Sequence, residues 1–125
     1  MTDKKLVLVV DDEQAILRIL GIKLRASGYD VVTVSNGKDA LALIASAQPD
    51  IILLDVLMPG IDGFEVLKRL RAFLNLPIIV ISARSEYEQK ALDLGANDFL
   101  AKPFDLNEVT NKIDKLICTQ DWMAC

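Results

Sequence analysis

The chain has 125 residues, 52% of them hydrophobic and 26% charged, a globular balance that excludes a disordered chain and leaves room for one folded module. It contains no histidine, which excludes Ser-His and Cys-His nucleophile pairs, His-ligated zinc and a phosphohistidine carried by the chain itself. With 18 acidic against 14 basic residues the net charge is -4, so no direct contact with nucleic acid is expected of this chain.

The first apolar run, Leu6–Val10, reads as a strand and stops at Asp11, Asp12 and Glu13. Ile16, Leu20 and Leu24 then recur at helical spacing with Leu17 beside them, and Gly28 ends that helix. Val31–Val34 predicts a second strand, and Asn36 before Gly37 can cap a second helix. Pro49 stands just ahead of a third strand, Ile51–Leu54, where it removes no ladder bond. Ile78–Ile81 is the fourth. Ser85 with Glu88, and Asp105 with Glu108, have the spacing of capping boxes opening the last two helices, and Gly95 stops the fourth helix. Phe99–Ala101 predicts the fifth strand, and Leu106, Val109, Ile113, Leu116 and Ile117 mark the final helix.

The first four strands are nearly continuous in apolar character, as strands buried on both faces are. Alternation of such strands with helices predicts one α/β domain, a doubly wound five-stranded parallel sheet, over residues 1–117, with residues 118–125 as a tail. Cys118 and Cys125 in that tail read as free thiols suited to a reducing compartment. The apolar runs fall far short of the ~20 residues that span a bilayer, and the start is too short in apolar residues for a signal peptide. A soluble, cytoplasmic protein without a membrane partner is expected.

A parallel sheet puts all strand carboxyl ends on one edge, where ligands of such folds bind. Asp11, Asp12 and Glu13 end the first strand, Asp55 the third, Ser82 the fourth and Lys102-Pro103 the fifth. Taken singly these are ordinary: an Asp after a strand usually caps or turns, and a lysine there usually faces water. Their conjunction is specific. Carboxylates meeting in one cleft raise one another's pKa unless a cation lies between them, and hard oxygen ligands suit Mg²⁺.

The sequence resembles a bacterial response-regulator receiver domain, the phospho-accepting half of two-component signalling. The matching pieces are L-V-V-D-D-E around Asp11 and Asp12, D-V-L-M-P-G-I-D-G from Asp55 to Gly63, I-V-I-S-A ending at Ser82 and Ala83, and G-A-N-D-F-L-A-K-P-F from Gly95 to Phe104. The resemblance implies a flavodoxin-like sheet in the order 2-1-3-4-5 and Asp55 as phosphoryl acceptor. It implies Mg²⁺ bound by Asp12, Asp55 and the backbone carbonyl of Leu57, with Asp11 acting through water. Lys102 would pair with the phosphoryl oxygens, Ser82 would hydrogen-bond to them, and Phe99 would turn inward as the switch. Lys102-Pro103 is a cis peptide in relatives. The chain would be a switch rather than an enzyme, although it assists its own phosphoryl transfer and hydrolysis. Having no histidine of its own, it would take the phosphoryl group from a partner's phosphohistidine or from a small donor, and the resemblance implies a sensor histidine kinase or a histidine phosphotransfer protein as that partner.

K-P-F-D-L-N-E resembles receivers joined to a winged-helix DNA-binding domain, which form a homodimer through charges that map to Lys90, Asp98, Glu108 and Lys112. Asn97 stands where an acid is usual and Lys112 where arginine is usual. Leu57 and Arg84 flank the phosphoryl group in relatives and would hinder attacking water, giving a long-lived phosphorylated state. A haloacid-dehalogenase-type phosphatase needs a second acid at the position of Leu57, and a flavin carrier needs a hydroxyl-rich loop in place of Asp11, Asp12 and Glu13. A receiver-shaped interaction module that works without phosphorylation is the remaining alternative.

Overall fold

A computed structural model describes residues 4–120. Its elements run β1 (Leu6–Val10), α1 (Gln14–Ala26), β2 (Asp30–Val34), α2 (Gly37–Ala47), β3 (Ile51–Asp55), α3 (Gly63–Phe73), β4 (Ile78–Ser82), a 3₁₀ turn (Ser85–Tyr87), α4 (Glu88–Asp93), β5 (Asp98–Ala101) and α5 (Leu106–Gln120). The sheet is parallel throughout, in the order β2-β1-β3-β4-β5, which is the expected doubly wound architecture.

Alternation along each strand sorts the core into two halves. Leu8, Val10, Ile52, Leu54, Ile78, Val80 and Phe99 pack with Ala40 and Ile44 of α2, Leu67 and Leu70 of α3, and Ala91 of α4. Val7, Val9, Ile51, Leu53, Ile79, Ile81 and Leu100 pack with Leu17, Leu20 and Leu24 of α1 and with Val109 and Ile113 of α5. β3 and β4 are buried at every position, as their sequences require. β2 is not: Asp30 and Thr33 are exposed and the rest is half-buried, because β2 is an edge strand with a neighbour on one side only.

Local chemistry sets the boundaries. Asn36 caps α2 as expected, its side chain accepting the Asp39 N–H at 2.7 Å. Gly28 takes φ 98° and Gly95 φ 107°, the left-handed geometry that closes α1 and α4. The two expected capping boxes do not form as such. Asp105 caps α5 through the Asn107 N–H at 2.7 Å, with no returning bond from Glu108, and Ser85 opens a 3₁₀ turn without a side-chain cap. α5 continues to Gln120, so a boundary after residue 117 falls inside a helix that no Gly or Pro interrupts. Cys118 is disulfide-bonded, which corrects the free-thiol reading for that residue; Cys125 and Trp122 lie outside the described residues.

One glycine supports the site directly. A Cβ on Gly63 would stand 2.3 Å from Val56 Cα, a backbone atom that cannot swing aside, immediately beside Asp55. Gly63→Ala must push α3 away from the end of β3, with an expected loss of about 1–3 kcal/mol in urea unfolding.

Asn97, a departure from the acidic residue usual in relatives, has a structural task. Its Oδ1 accepts the Ile78 N–H at 2.9 Å and the Arg71 Nη2 at 2.8 Å. Arg71 also donates to the carbonyls of Gly95, Leu74 and Leu76, tying the end of α3 to the turn before β5.

Candidate functional site at the carboxyl edge of the sheet

Parallel strands deliver the candidate side chains to one edge. Asp11 follows β1, its N–H bonded to the Val34 carbonyl at 3.1 Å; Asp55 closes β3; Ser82 closes β4; and Lys102 follows β5, its N–H bonded to the Ser82 carbonyl at 2.9 Å. The Lys102-Pro103 peptide is cis. Asp11 is fully buried and Asp55 is 2% exposed, whereas Asp12 faces solvent.

Lys102 Nζ lies at the centre of the group. It is 2.7 Å from Glu13 Oε1, 2.9 Å from Asp11 Oδ2 and 3.0 Å from Asp55 Oδ2. Asp55 Oδ1 accepts the Leu57 N–H at 2.8 Å, and Asp11 Oδ1 accepts the Glu13 N–H at 2.9 Å, so both buried carboxylates are fixed at both oxygens or nearly so. Asp11 Oδ2 is the exception. Its contact with Lys102 is close but not aligned as a hydrogen bond, and no other donor among the described residues reaches it.

Burial raises the Asp55 carboxyl to about 6; the Leu57 amide and Lys102 pull it down, and the charge of Asp11 adds to the rise. For Lys102, burial alone would lower the pKa, but Glu13, Asp11 and Asp55 together outweigh it and hold the ammonium above its ordinary range. A cation between these carboxylates is therefore supplied by the chain itself. Lys102 already stands among them, delivered from a distant part of the chain. Glu13 is the member that sequence reasoning passed over; its place after two aspartates was visible, but not its reach to Lys102.

The oxygens remain suited to a cation. Asp11, Asp12 and Asp55 each offer a carboxylate oxygen, all within 4.8 Å of one another. An all-oxygen set with one buried, unbonded lone pair fits a hard ion such as Mg²⁺.

The response regulator receiver domain model matches residues 7–114. The chain belongs to that family. This receiver is 43% identical over 116 residues to the alkaline phosphatase synthesis transcriptional regulatory protein PhoP of Bacillus subtilis, covering 90% of this chain and 48% of that protein. It is 48% identical over 105 residues to the transcriptional regulatory protein KdpE of Mycobacterium tuberculosis, covering 82% of this chain and 46% of that protein. The chain thus spans about half the length of the curated relatives it matches. Among solved structures, the receiver domain of Francisella response regulator 1452 superposes with a TM-score of 0.89 at 34% identity, covering 94% of this chain and 100% of that one. The response regulator TrrA of Thermotoga maritima, solved in complex with Mg²⁺ and BeF, gives a TM-score of 0.83 at 36% identity, covering 90% and 98%.

The remaining receiver positions are placed as follows. Ser82 is fully buried, and its Oγ accepts the Arg84 N–H at 3.0 Å. Phe99 is 7% exposed and lies in the core beside α4. Leu57 is exposed, and the Arg84 guanidinium is engaged by Glu86 at 2.7 Å and by the Tyr87 ring at 5.3 Å. Of the four charges mapped to a dimer contact, Lys112 pairs with Asp98 of the same chain at 3.1 Å, and Lys90 sits 4.2 Å over the Phe64 ring. No helix among the described residues is long and apolar enough to cross a membrane.

Proposed function

We propose that this receiver is a phosphorylation-dependent switch in which Asp55 takes a phosphoryl group from a phosphohistidine on a sensor histidine kinase or a histidine phosphotransfer protein. The observation that carries this reading is the setting of Asp55: a buried carboxylate at a strand end, 3.0 Å from an ammonium and grouped with Asp11 and Asp12. Phosphoryl transfer is mainly positioning and charge neutralisation, and these groups supply both.

Asp55 attacks as a carboxylate and needs no general base. Asp11, Asp12, Asp55 and the Leu57 carbonyl would hold Mg²⁺, which supplies positive charge at the phosphoryl oxygens. Lys102 moves from carboxylate to phosphoryl oxygen, and Ser82 Oγ, now an acceptor for the Arg84 N–H, donates its own hydrogen to the new group. Phe99, buried in the core with Ala91 of α4, transmits that movement to the α4-β5-α5 surface. On this reading the domain comprises residues 1–117 together with the end of α5 that follows them, acts in the cytoplasm, and controls an output by a homodimer contact on that surface, with DNA binding left to a winged-helix module outside this chain. Leu57 and Arg84 shield the product from water.

Intact mass after incubation with acetyl phosphate and Mg²⁺ tests the reading. A single phosphoryl adduct is expected on the wild-type chain, with none on Asp55→Asn and none when the metal is chelated. A folded wild-type chain that binds Mg²⁺ but gains no mass would favour the interaction module that works without phosphorylation.

A further inference from the structure

Glu13 has an unusual position for a residue that opens a helix. It precedes α1 with extended backbone, φ -87° and ψ 110°, yet its side chain makes no capping bond. The carboxylate turns instead to Lys102, and at 2.7 Å this is the shortest of the three ion pairs around that ammonium. The three partners are not equivalent. Asp11 and Asp55 are buried and each is anchored by a backbone N–H, at 2.9 and 2.8 Å. The Glu13 side chain is 58% exposed, and Lys102 is its one bonded partner among the described residues.

A lysine ammonium has three hydrogens; two are bonded here, to Glu13 and to Asp55, while Asp11 closes the third side as an ion pair at 2.9 Å. A phosphoryl group arriving at Asp55 carries roughly -1.5 to -2 charge and needs donors. Carboxylates crowd Lys102 on three sides, so a phosphoryl oxygen reaches it most readily in place of one of them, and Glu13 alone can leave without exposing the core, because water receives it. Space for the exchange exists: Glu13, Ile16, Ala83, Lys102, Pro103 and Phe104 help line a cleft of about 440 Å³ on the same edge.

We infer that Glu13 is a positioning residue, a resident anion that holds Lys102 before phosphorylation and is displaced by the incoming phosphoryl oxygen. This rests on Asp55 being the acceptor, as proposed above. In the step itself the donor's P–O bond breaks with its electron pair on the leaving acetate, while an Asp55 carboxylate oxygen forms the new P–O bond. Glu13 takes no part in bonding and acts as a competitor for the ammonium. Its presence weakens capture of the donor without altering the geometry of transfer.

The test is the rate of adduct formation by intact mass across acetyl phosphate concentrations, at fixed Mg²⁺ and ionic strength, for wild type and Glu13→Gln. The exposed pair implies that the half-saturating concentration falls about threefold to fivefold in Glu13→Gln, with the maximal rate kept within about twofold. Glu13→Ala, which lacks any group able to reach Lys102, is expected to match it. An unchanged or raised half-saturating concentration in both variants overturns the inference. So does a lower maximal rate accompanied by a lower melting temperature, since that pattern marks a residue that merely supports α1. A wild-type chain that takes no phosphoryl group overturns this inference and the reading beneath it together, whereas a wild-type adduct with Glu13-independent concentration dependence overturns this one alone.

Discussion

Lys102→Met is expected to cost about 3–5 kcal/mol of unfolding free energy at pH 7.5 in chelator, because removing one partner of a buried ion group leaves the others unpaired. Asp11 and Asp55 are 0% and 2% exposed and would face each other without the ammonium now 2.9 and 3.0 Å away. The linkage has a definite sign. The Lys102 pKa is raised in the fold, so its contribution is fully present below the ordinary lysine pKa of 10.5 and is lost only above it. The defect at pH 7.5 should shrink as the pH falls through about 6, where Asp55 takes a proton. Mg²⁺ should also relieve it, since a divalent ion on the same oxygens replaces the missing charge; at a hundred times its Kd an ion stabilises by about 2.7 kcal/mol. Urea midpoints at pH 5 and 7.5, with and without Mg²⁺, decide the matter. A variant as stable as wild type at pH 7.5 in chelator would mean that the carboxylates are hydrated or protonated rather than held by Lys102.

The same geometry explains which parts of the molecule were legible in sequence. β1, β3 and β4 announce themselves because helices cover both faces, which demands apolar residues along the strands up to the carboxyl ends, where Asp55 and Ser82 close β3 and β4. β2 carries a similar Val-rich sequence on the sheet edge, where the demand is relaxed, and composition alone does not separate the two cases. The clustering of Asp11, Asp55, Ser82 and Lys102 follows from parallel strands ending on one side, so their positions in sequence predicted their meeting. Glu13 escaped because its partner lies 89 residues away and the contact depends on side-chain reach. Asn97 looked like the loss of a surface charge, and its bonds to Ile78 and Arg71 appear only when β4, β5 and α3 are assembled. Ser85 shows the converse: the spacing of a capping box is present, but the chain tightens into a 3₁₀ turn first and α4 begins only at Glu88.

Asp55→Asn should produce a more stable protein than wild type at neutral pH in chelator, although it removes the residue on which the proposed chemistry depends. Burial is the main reason: it lifts the Asp55 carboxyl from 3.8 to about 6, with Asp11 adding to the rise and the Leu57 amide and Lys102 opposing it. A carboxyl whose pKa is raised by folding binds its proton more tightly in the native state. Its contribution to stability is therefore complete below about pH 4 and lost as the pH climbs through 6. A shift of that size corresponds to about 3 kcal/mol between the two limits. Asparagine keeps one oxygen, for the Leu57 N–H, and gives up the bond to Lys102, which Glu13 and Asp11 still hold; it carries no charge at any pH, so it escapes the loss. Wild type and variant should unfold at similar urea concentrations at pH 4 and diverge above 6, with the variant ahead by up to about 3 kcal/mol. Mg²⁺ should narrow the gap at pH 7.5, because it stabilises the ionised wild-type cluster and finds one carboxylate fewer in the variant. A gap that is constant from pH 4 to 7.5 would show that Asp55 keeps an ordinary carboxylate pKa. The energy released when a metal or a phosphoryl group relieves the buried charge would then be too small to drive a switch.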